Sequence, residues 1–359
     1  MSEPNVGAGH PAPSSFTSAH PGWFGAVMAS AVLANVLASE GSLIDALWLR
    51  PAAGGVLVIA SLLSLVLLVP YLRRLRPGGV LVVELGDPAR GPLLATFPAG
   101  LLLLATAWGY VGPLMVPASV ATAVCAVLAC AGVLIGLVFS IAWSTSALRG
   151  SQGIAAINGG WVIPPMGVAL VGLAVSPLIP AWPEYSRTLL IIAVMFLGAG
   201  MTLSLIMITL VVLRLVLHPG LPAPLAPTMW IPIAPAAVLG IATLRLCSDA
   251  VSVGLVDGSA MLFAGVIDAL TLGFGLWWAL FAAWDLRRLR RLGPIPFQPG
   301  WFAFLFPPTA LALAFIGAVQ AFDAVHLVWL TVLVVAALFA FWAYVVIRSI
   351  PLLPATIRS

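Results

Sequence analysis

The sequence predicts an all-α polytopic membrane protein: ten transmembrane helices arranged as five tandem helical hairpins, with an inner ring of kinked odd-numbered helices around a central pore. Three observations predict it. Of 359 residues, 62% are hydrophobic and 7% charged, with a mean hydropathy of +1.16, too little polar surface to clothe a water-soluble globule. Apolar runs long enough to cross a bilayer recur ten times. Prolines recur inside alternate runs, at Pro98, Pro165, Pro232 and Pro307, each shortly after an aromatic residue: Phe97, Trp161, Trp230 and Phe306.

Taken in order, the first run, 22–39, has no proline but carries the small residues Met28-Ala29-Ser30-Ala31, and counting 67 back from Pro98 reaches Ala31. The second, 52–71, is mostly uninterrupted Leu, Val, Ile and Ala. The third, 93–111, holds Phe97 and Pro98, and the fourth, 117–142, is smooth and contains Cys125 and Cys130. The fifth, 161–178, holds Pro165; the sixth, 186–214, is longer than a bilayer requires and predicts tilt or a protruding end. The seventh, 228–246, holds Pro232, and the eighth, 260–284, holds Asp268. The ninth, 301–318, holds Phe306 with Pro307 and Pro308, and the tenth, 327–348, is again smooth.

The intervals between successive prolines are 67, 67 and 75 residues, which suggests one structural unit used repeatedly. Interior proline costs a water-soluble helix about 3 kcal/mol and frees a carbonyl one turn back, so aligned breaks need a common cause. Broken helices at membrane depth usually border a cavity or a solute. Pro98, Pro165, Pro232 and Pro307 therefore read as pore-lining breaks, and Phe97, Ala31 and Thr309 as further pore-lining candidates. Uninterrupted even spans suit an outer wall facing lipid.

The formal charge is +4 and the pI near 9.4, yet the placement of the charges argues against nucleic acid as a partner. All fifteen basic residues are Arg. Twelve fall in loops or tails on one side (Arg73, Arg74, Arg76, Arg90, Arg149, Arg214, Arg287, Arg288, Arg290, Arg291, Arg348, Arg358) and three on the other (Arg50, Arg187, Arg245). By the positive-inside rule both termini and the longer connections, such as 72–92, 143–160, 215–227 and 285–300, are cytoplasmic. That predicts a multi-pass protein of the cell membrane in contact with lipid. Residues 1–21 lack Lys and Arg and are rich in Pro, Ser, Ala and Gly, so they read as a disordered cytoplasmic tail rather than a signal peptide, with 22–348 as the transport domain and 349–359 as a short cytoplasmic tail.

Chemistry-bearing residues are sparse. Cys125, Cys130 and Cys247 have no metal or redox spacing and read as buried structural cysteines; His10, His20, His218 and His326 are scattered. No metal, no cofactor and no convergent set of catalytic groups is expected, so the pattern does not suit an enzyme. Asp268 is the clearest ionisable group at membrane depth, where a carboxylate costs about 2.5–3.5 kcal/mol on insertion scales. It reads either as a proton-coupling carboxylate or as a structural bond to a neighbouring helix. The middles of the odd spans contain no Lys or Arg, and Thr96, Thr228, Thr243 and Thr309 are available as hydroxyl donors.

Several stretches taken together carry a family likeness: His20-Pro21-Gly22-Trp23-Phe24 leading to Met28-Ala29-Ser30-Ala31, then Trp161-Val162-Ile163-Pro164-Pro165, 221–235, 273–280 and 299–314. The chain resembles the tellurite-resistance/dicarboxylate transporter family, which contains bacterial tellurite-resistance proteins, yeast malate and sulfite transporters and plant slow anion channels. That resemblance implies anions as solutes, a pore within each subunit, commonly a homotrimer, and a Phe on the ninth helix that plugs the pore; by position in the motif it is Phe306. Ala29-Ser30-Ala31 replaces a glycine-rich run, Phe302 stands where a second Trp is usual, and Pro308 adds a second proline, so bore and kink differ locally. Two transport modes follow from the same scaffold: channel-like conduction of small inorganic anions or dicarboxylates, or proton-coupled export of sulfite, a tellurite-derived anion or malate.

Overall fold

The computed structural model describes residues 20–74, 81–149 and 152–353. The expected tail 1–21 lies outside the described residues up to position 19, as do Arg76, Arg358 and the C-terminal tail from 354 onward. The described residues contain no strand, and ten of their helical segments are long and apolar enough to cross a membrane.

In chain order the helices are α1 (Gly25–Leu43), α2 (Leu49–Arg74), α3 (Leu81–Gly86), α4 (Thr96–Tyr110), α5 (Ala118–Arg149), α6 (Ile163–Val175), α7 (Leu178–Ala181), α8 (Ser186–Leu217), α9 (Ile233–Ser252), α10 (Ala260–Leu292), α11 (Phe306–Ala321) and α12 (Val328–Ser349). The odd spans are α1, α4, α6, α9 and α11, and in them 72–94% of the apolar window is buried; in the even spans, α2, α5, α8, α10 and α12, it is 22–39%. That contrast sorts the helices into two layers. The five inner helices touch one another in a closed cycle, α1 to α4 to α6 to α9 to α11 and back to α1. Each outer helix packs on the inner helix that precedes it in the chain, and all but α12 pack there most extensively; α12 divides its contacts between α11 and α1.

Lipid offers no hydrophobic drive for helix association, so close backbone approach and buried polar ties matter more. At Gly200 of α8 a Cβ would collide with the backbone of Ala169 in α6. Indole donors fasten the outer wall: Trp342 Nε1 donates to Ser30 Oγ at 2.9 Å, and Trp278 Nε1 to the Met229 carbonyl at 2.8 Å. Thr331 of α12 donates to Glu40 Oε1 of α1 at 2.9 Å.

The inner helices are not broken at mid-span. Each begins as a 3-10 segment (Pro21–Phe24, Pro92–Ala95, Gly159–Val162, Ala223–Trp230, Pro299–Phe304) that passes into α-helix. Pro98, Pro165, Pro235 and Pro308 occupy the third position of their α-helices, while Pro232 is the N-cap of α9 and Pro307 the second residue of α11. The first turn of a helix has no intrahelical acceptor for its N–H groups, so proline is tolerated there at little cost. In α1 the transition lies at Phe24–Gly25, which leaves Ala31 inside continuous helix and makes Val27 the positional counterpart of the prolines.

Helix ends also depart from the expected spans. α5, α8 and α10 have 32, 32 and 33 residues, about 48 Å each at 1.5 Å per residue, so not only the sixth span overshoots a hydrocarbon core of about 30 Å. Arg149, Arg214, Arg290 and Arg291 consequently sit in last turns of helices rather than in loops. Cys125 is buried and Cys247 partly buried, but Cys130 is exposed on the outer face of α5, contrary to its expected burial.

Candidate functional site along the central axis

The five 3-10 segments touch in the same cyclic order as the helices they lead, so five helix N-termini converge on one end of the axis. They enclose a cavity of about 120 Å³. Its polar lining comes from His20, Arg90, Thr96, Thr228 and Gln298, and its apolar floor from Met28, Ile163, Ile231 and Phe306. Each helix N-terminus carries roughly half a positive charge, which favours anions at this mouth. Arg90 is paired with the buried Glu84, Nη2 to Oε1 at 2.5 Å.

The threonine hydroxyls are not offered to a solute here. Thr96 Oγ1 lies 2.7 Å from the Leu93 carbonyl, Thr228 Oγ1 donates to Leu225 at 2.7 Å and Thr243 Oγ1 to Leu239 at 2.7 Å. A hydroxyl has one proton to give, so these three are spent on backbone carbonyls. The first amides of α1, α4 and α6 are likewise bonded by 3-10 carbonyls, Gly25 N–H to Gly22, Thr96 N–H to Leu93 and Ile163 N–H to Gly160.

Phe306 is the first residue of α11 and is 4% exposed. It borders both the first cavity and a second, of about 20 Å³. All five inner helices line that second space, through Val32 and Asn35, Leu103 and Thr106, Leu173, Val238 and Ile241, and Ala310 and Leu313. Such a volume holds about one water molecule. Beyond it the space widens into two cavities of about 250 and 290 Å³ at the opposite end, and Arg245 borders all three. The axis thus carries a chain of cavities interrupted at an aromatic ring and a narrow waist.

The other expected site residues lie elsewhere. Phe97 stacks edge-on against Phe24, with centroids 4.8 Å apart, and lies 5.0 Å from the Tyr71 ring, in a cluster between α1, α2 and α4. Pro98 faces Gly136 of the outer helix α5. Ala31 and Thr309 are buried in the packed core, and the Ala31 carbonyl is capped by Asn35 Nδ2 at 3.1 Å. None of Pro98, Pro165, Pro232, Pro307, Phe97, Ala31 or Thr309 lines the axial cavities described here; residues one or two positions before the prolines, Thr96, Ile163, Ile231 and Phe306, do. Asp268 is fully buried between α10, Gly240 of α9 and Gly317 of α11, off the axis, and neither carboxylate oxygen has a hydrogen-bond partner among the described residues.

The sequence reading missed Arg245. Ending the seventh span at 246 put this residue beside a loop, whereas α9 runs on to Ser252 and carries Arg245 and Asp249 inside the span. The signal was present: an arginine and an aspartate four residues apart share a helix face.

A family profile described as voltage-dependent anion channel (SLAC1) matches residues 18–350, which embraces every inner helix and both sides of Phe306. The chain belongs to this anion channel family. Two uncharacterized transporters of Methanocaldococcus jannaschii are also similar to it: one is 28% identical over 205 residues, 54% of each chain, and the other 30% identical over 156 residues, 42% of this chain and 43% of the relative. The chain therefore spans about half the length of these curated relatives. Membership agrees with the resemblance read from the motifs, and the ten apolar helices agree with a multi-pass membrane protein.

Proposed function

We propose that this family member passes small anions along the central axis of each subunit, and that the Phe306 ring is the gate. The observation that carries the reading is the position of that ring, at the common border of two cavities walled by the inner helices. An anion crossing such a path loses hydration worth several kcal/mol, which converging helix N-termini at one end and the Arg245 guanidinium toward the other offset. The arginine distribution supports a cytoplasmic location for the 3-10 ring and a plasma-membrane setting. The homotrimer expected from the resemblance would set three such paths side by side.

The test is a flux panel of chloride, nitrate, sulfite and malate in proteoliposomes. Anion flux above that of empty liposomes, with no matching cation flux, is the expected result; flux equal to that of empty liposomes contradicts the proposal.

Proton-coupled export is the second reading, and the burial of Asp268 without a partner favours it. Among the described residues Asp268 makes no ion pair, and Gly240, Leu244 and Gly317 border its niche. Coupling predicts that Asp268→Asn flattens the pH dependence of transport and abolishes trans-stimulation. An unchanged pH profile removes that role and leaves conduction.

A further inference from the structure

The far end of the axis holds an arginine whose geometry the transport scaffold alone does not require. Arg245, half-buried on α9, lies over the ring of Tyr110 at the end of α4, its Cζ 4.3 Å from the ring centroid. Its Nη2 donates to Ser39 Oγ of α1 at 3.1 Å. A guanidinium has five N–H donors in a planar fork, and the serine takes one. Asp249, one turn further along α9, is engaged by other groups: Tyr110 Oη donates to its Oδ2 at 2.6 Å and Ser176 Oγ bonds the same oxygen at 2.5 Å. Arg245 makes no ion pair within 4 Å among the described residues.

Three cavities meet at this side chain. The one of about 250 Å³ also takes Arg50, exposed at the start of α2, with the amides of Asn35 and Gln320. Among the described residues, no carboxylate lines either of the two wider cavities. Two cations and neutral donors, with no lining acid, attract anions.

Resting on the reading that the axis carries anions, we propose that Arg245 is an anion-binding station between this vestibule and Phe306, and that it takes carboxylates and planar oxyanions in preference to halides. A planar fork presents two parallel N–H groups, which match two oxygens of one ligand and cannot be matched by a spherical ion. Stacking on Tyr110 and the bond to Ser39 hold the fork in place before the ligand arrives. Asp249 lies close enough to temper the positive field without occupying the fork, so the anion is released again. Arg50 at the mouth raises the local anion concentration and does not set the preference.

Wild type, Arg245→Gln, Arg245→Lys, Arg50→Gln and the double variant Arg245→Gln/Asp249→Asn are compared for concentration-dependent uptake of formate, nitrate and chloride into proteoliposomes, and for thermal stabilisation of the detergent-solubilised protein by formate. In Arg245→Gln the half-saturation concentration for formate and nitrate rises about tenfold or more, the loss of one charge-assisted bidentate contact, and formate stabilisation disappears. Arg245→Lys recovers chloride uptake but not the formate preference, and Arg50→Gln slows uptake at low concentration without changing the preference. If Arg245 serves only to balance Asp249, the double variant regains wild-type half-saturation, and the proposal is overturned. Wild-type values in Arg245→Gln, or an unaltered formate preference in Arg245→Lys, overturn it as well. Formate stabilisation that depends on Arg245 supports the station even where wild type shows no flux, an outcome that contradicts the transport reading alone.

Discussion

At the scale of single residues, the wall of the axis is built by what precedes each proline. Ile163, Ile231 and Phe306 point their apolar side chains into the cavities, while the prolines next to them start the helices. Phe306 was singled out by its position in a motif that resembles the family's ninth helix, and it borders two cavities on the axis. The sequence did not make Arg245 legible, because apolar-run boundaries cut the seventh span six residues early and turned a lining cation into a loop charge. Glu40 and Asp249 were hidden by the same shortening of α1 and α9. Close packing makes its own residue-scale prediction at Gly240, where a Cβ would strike the Asp268 carboxylate. Gly240→Ala should lower stability by about 1–3 kcal/mol, the usual cost of overpacking, read as a fall in the thermal midpoint of the solubilised protein. An unchanged midpoint would mean that α9 and α10 can separate freely at that level.

Among the elements, the 3-10 to α transition is what aligns the five inner helices. It lets proline stand where no amide partner is lost, and it gathers five N-termini around one mouth. The alternation of smooth and proline-bearing spans marked which helices lie inside; α8 and α12 also open on short 3-10 turns, Pro183–Tyr185 and Val325–Leu327, but it is the five inner segments that touch in a cycle. The depth of the transitions was not legible: a proline inside an apolar run looks the same whether it interrupts a helix or opens one. Placement can be probed by cysteine substitution in a cysteine-free background, replacing Cys125, Cys130 and Cys247. Ile163→Cys and Ile231→Cys should react with a charged thiol reagent supplied from the side of the 3-10 ring, whereas Phe97→Cys, half-buried among the rings of Phe24 and Tyr71, and Leu305→Cys, fully buried, should be protected. Equal protection at all four positions would put the axial cavities out of reach of solute.

For the molecule as a whole, an inner cycle of five helices and an outer wall of five give a cylinder whose axis carries a cavity bordered by Phe306 and a waist holding about a single water. Composition alone established the membrane class, and helix count followed from run length. The closed cycle itself needed the packing, because sequence periodicity does not say which helices meet. The most direct measurement is the anion conductance of reconstituted wild type and Phe306→Ala in planar bilayers under a salt gradient. Removing the ring should raise conductance about tenfold, equivalent to ~1.4 kcal/mol off the barrier, with the reversal potential still set by the anion. A correctly folded Phe306→Ala protein whose conductance equals that of wild type, or whose current follows the cation, would contradict an anion path closed by Phe306.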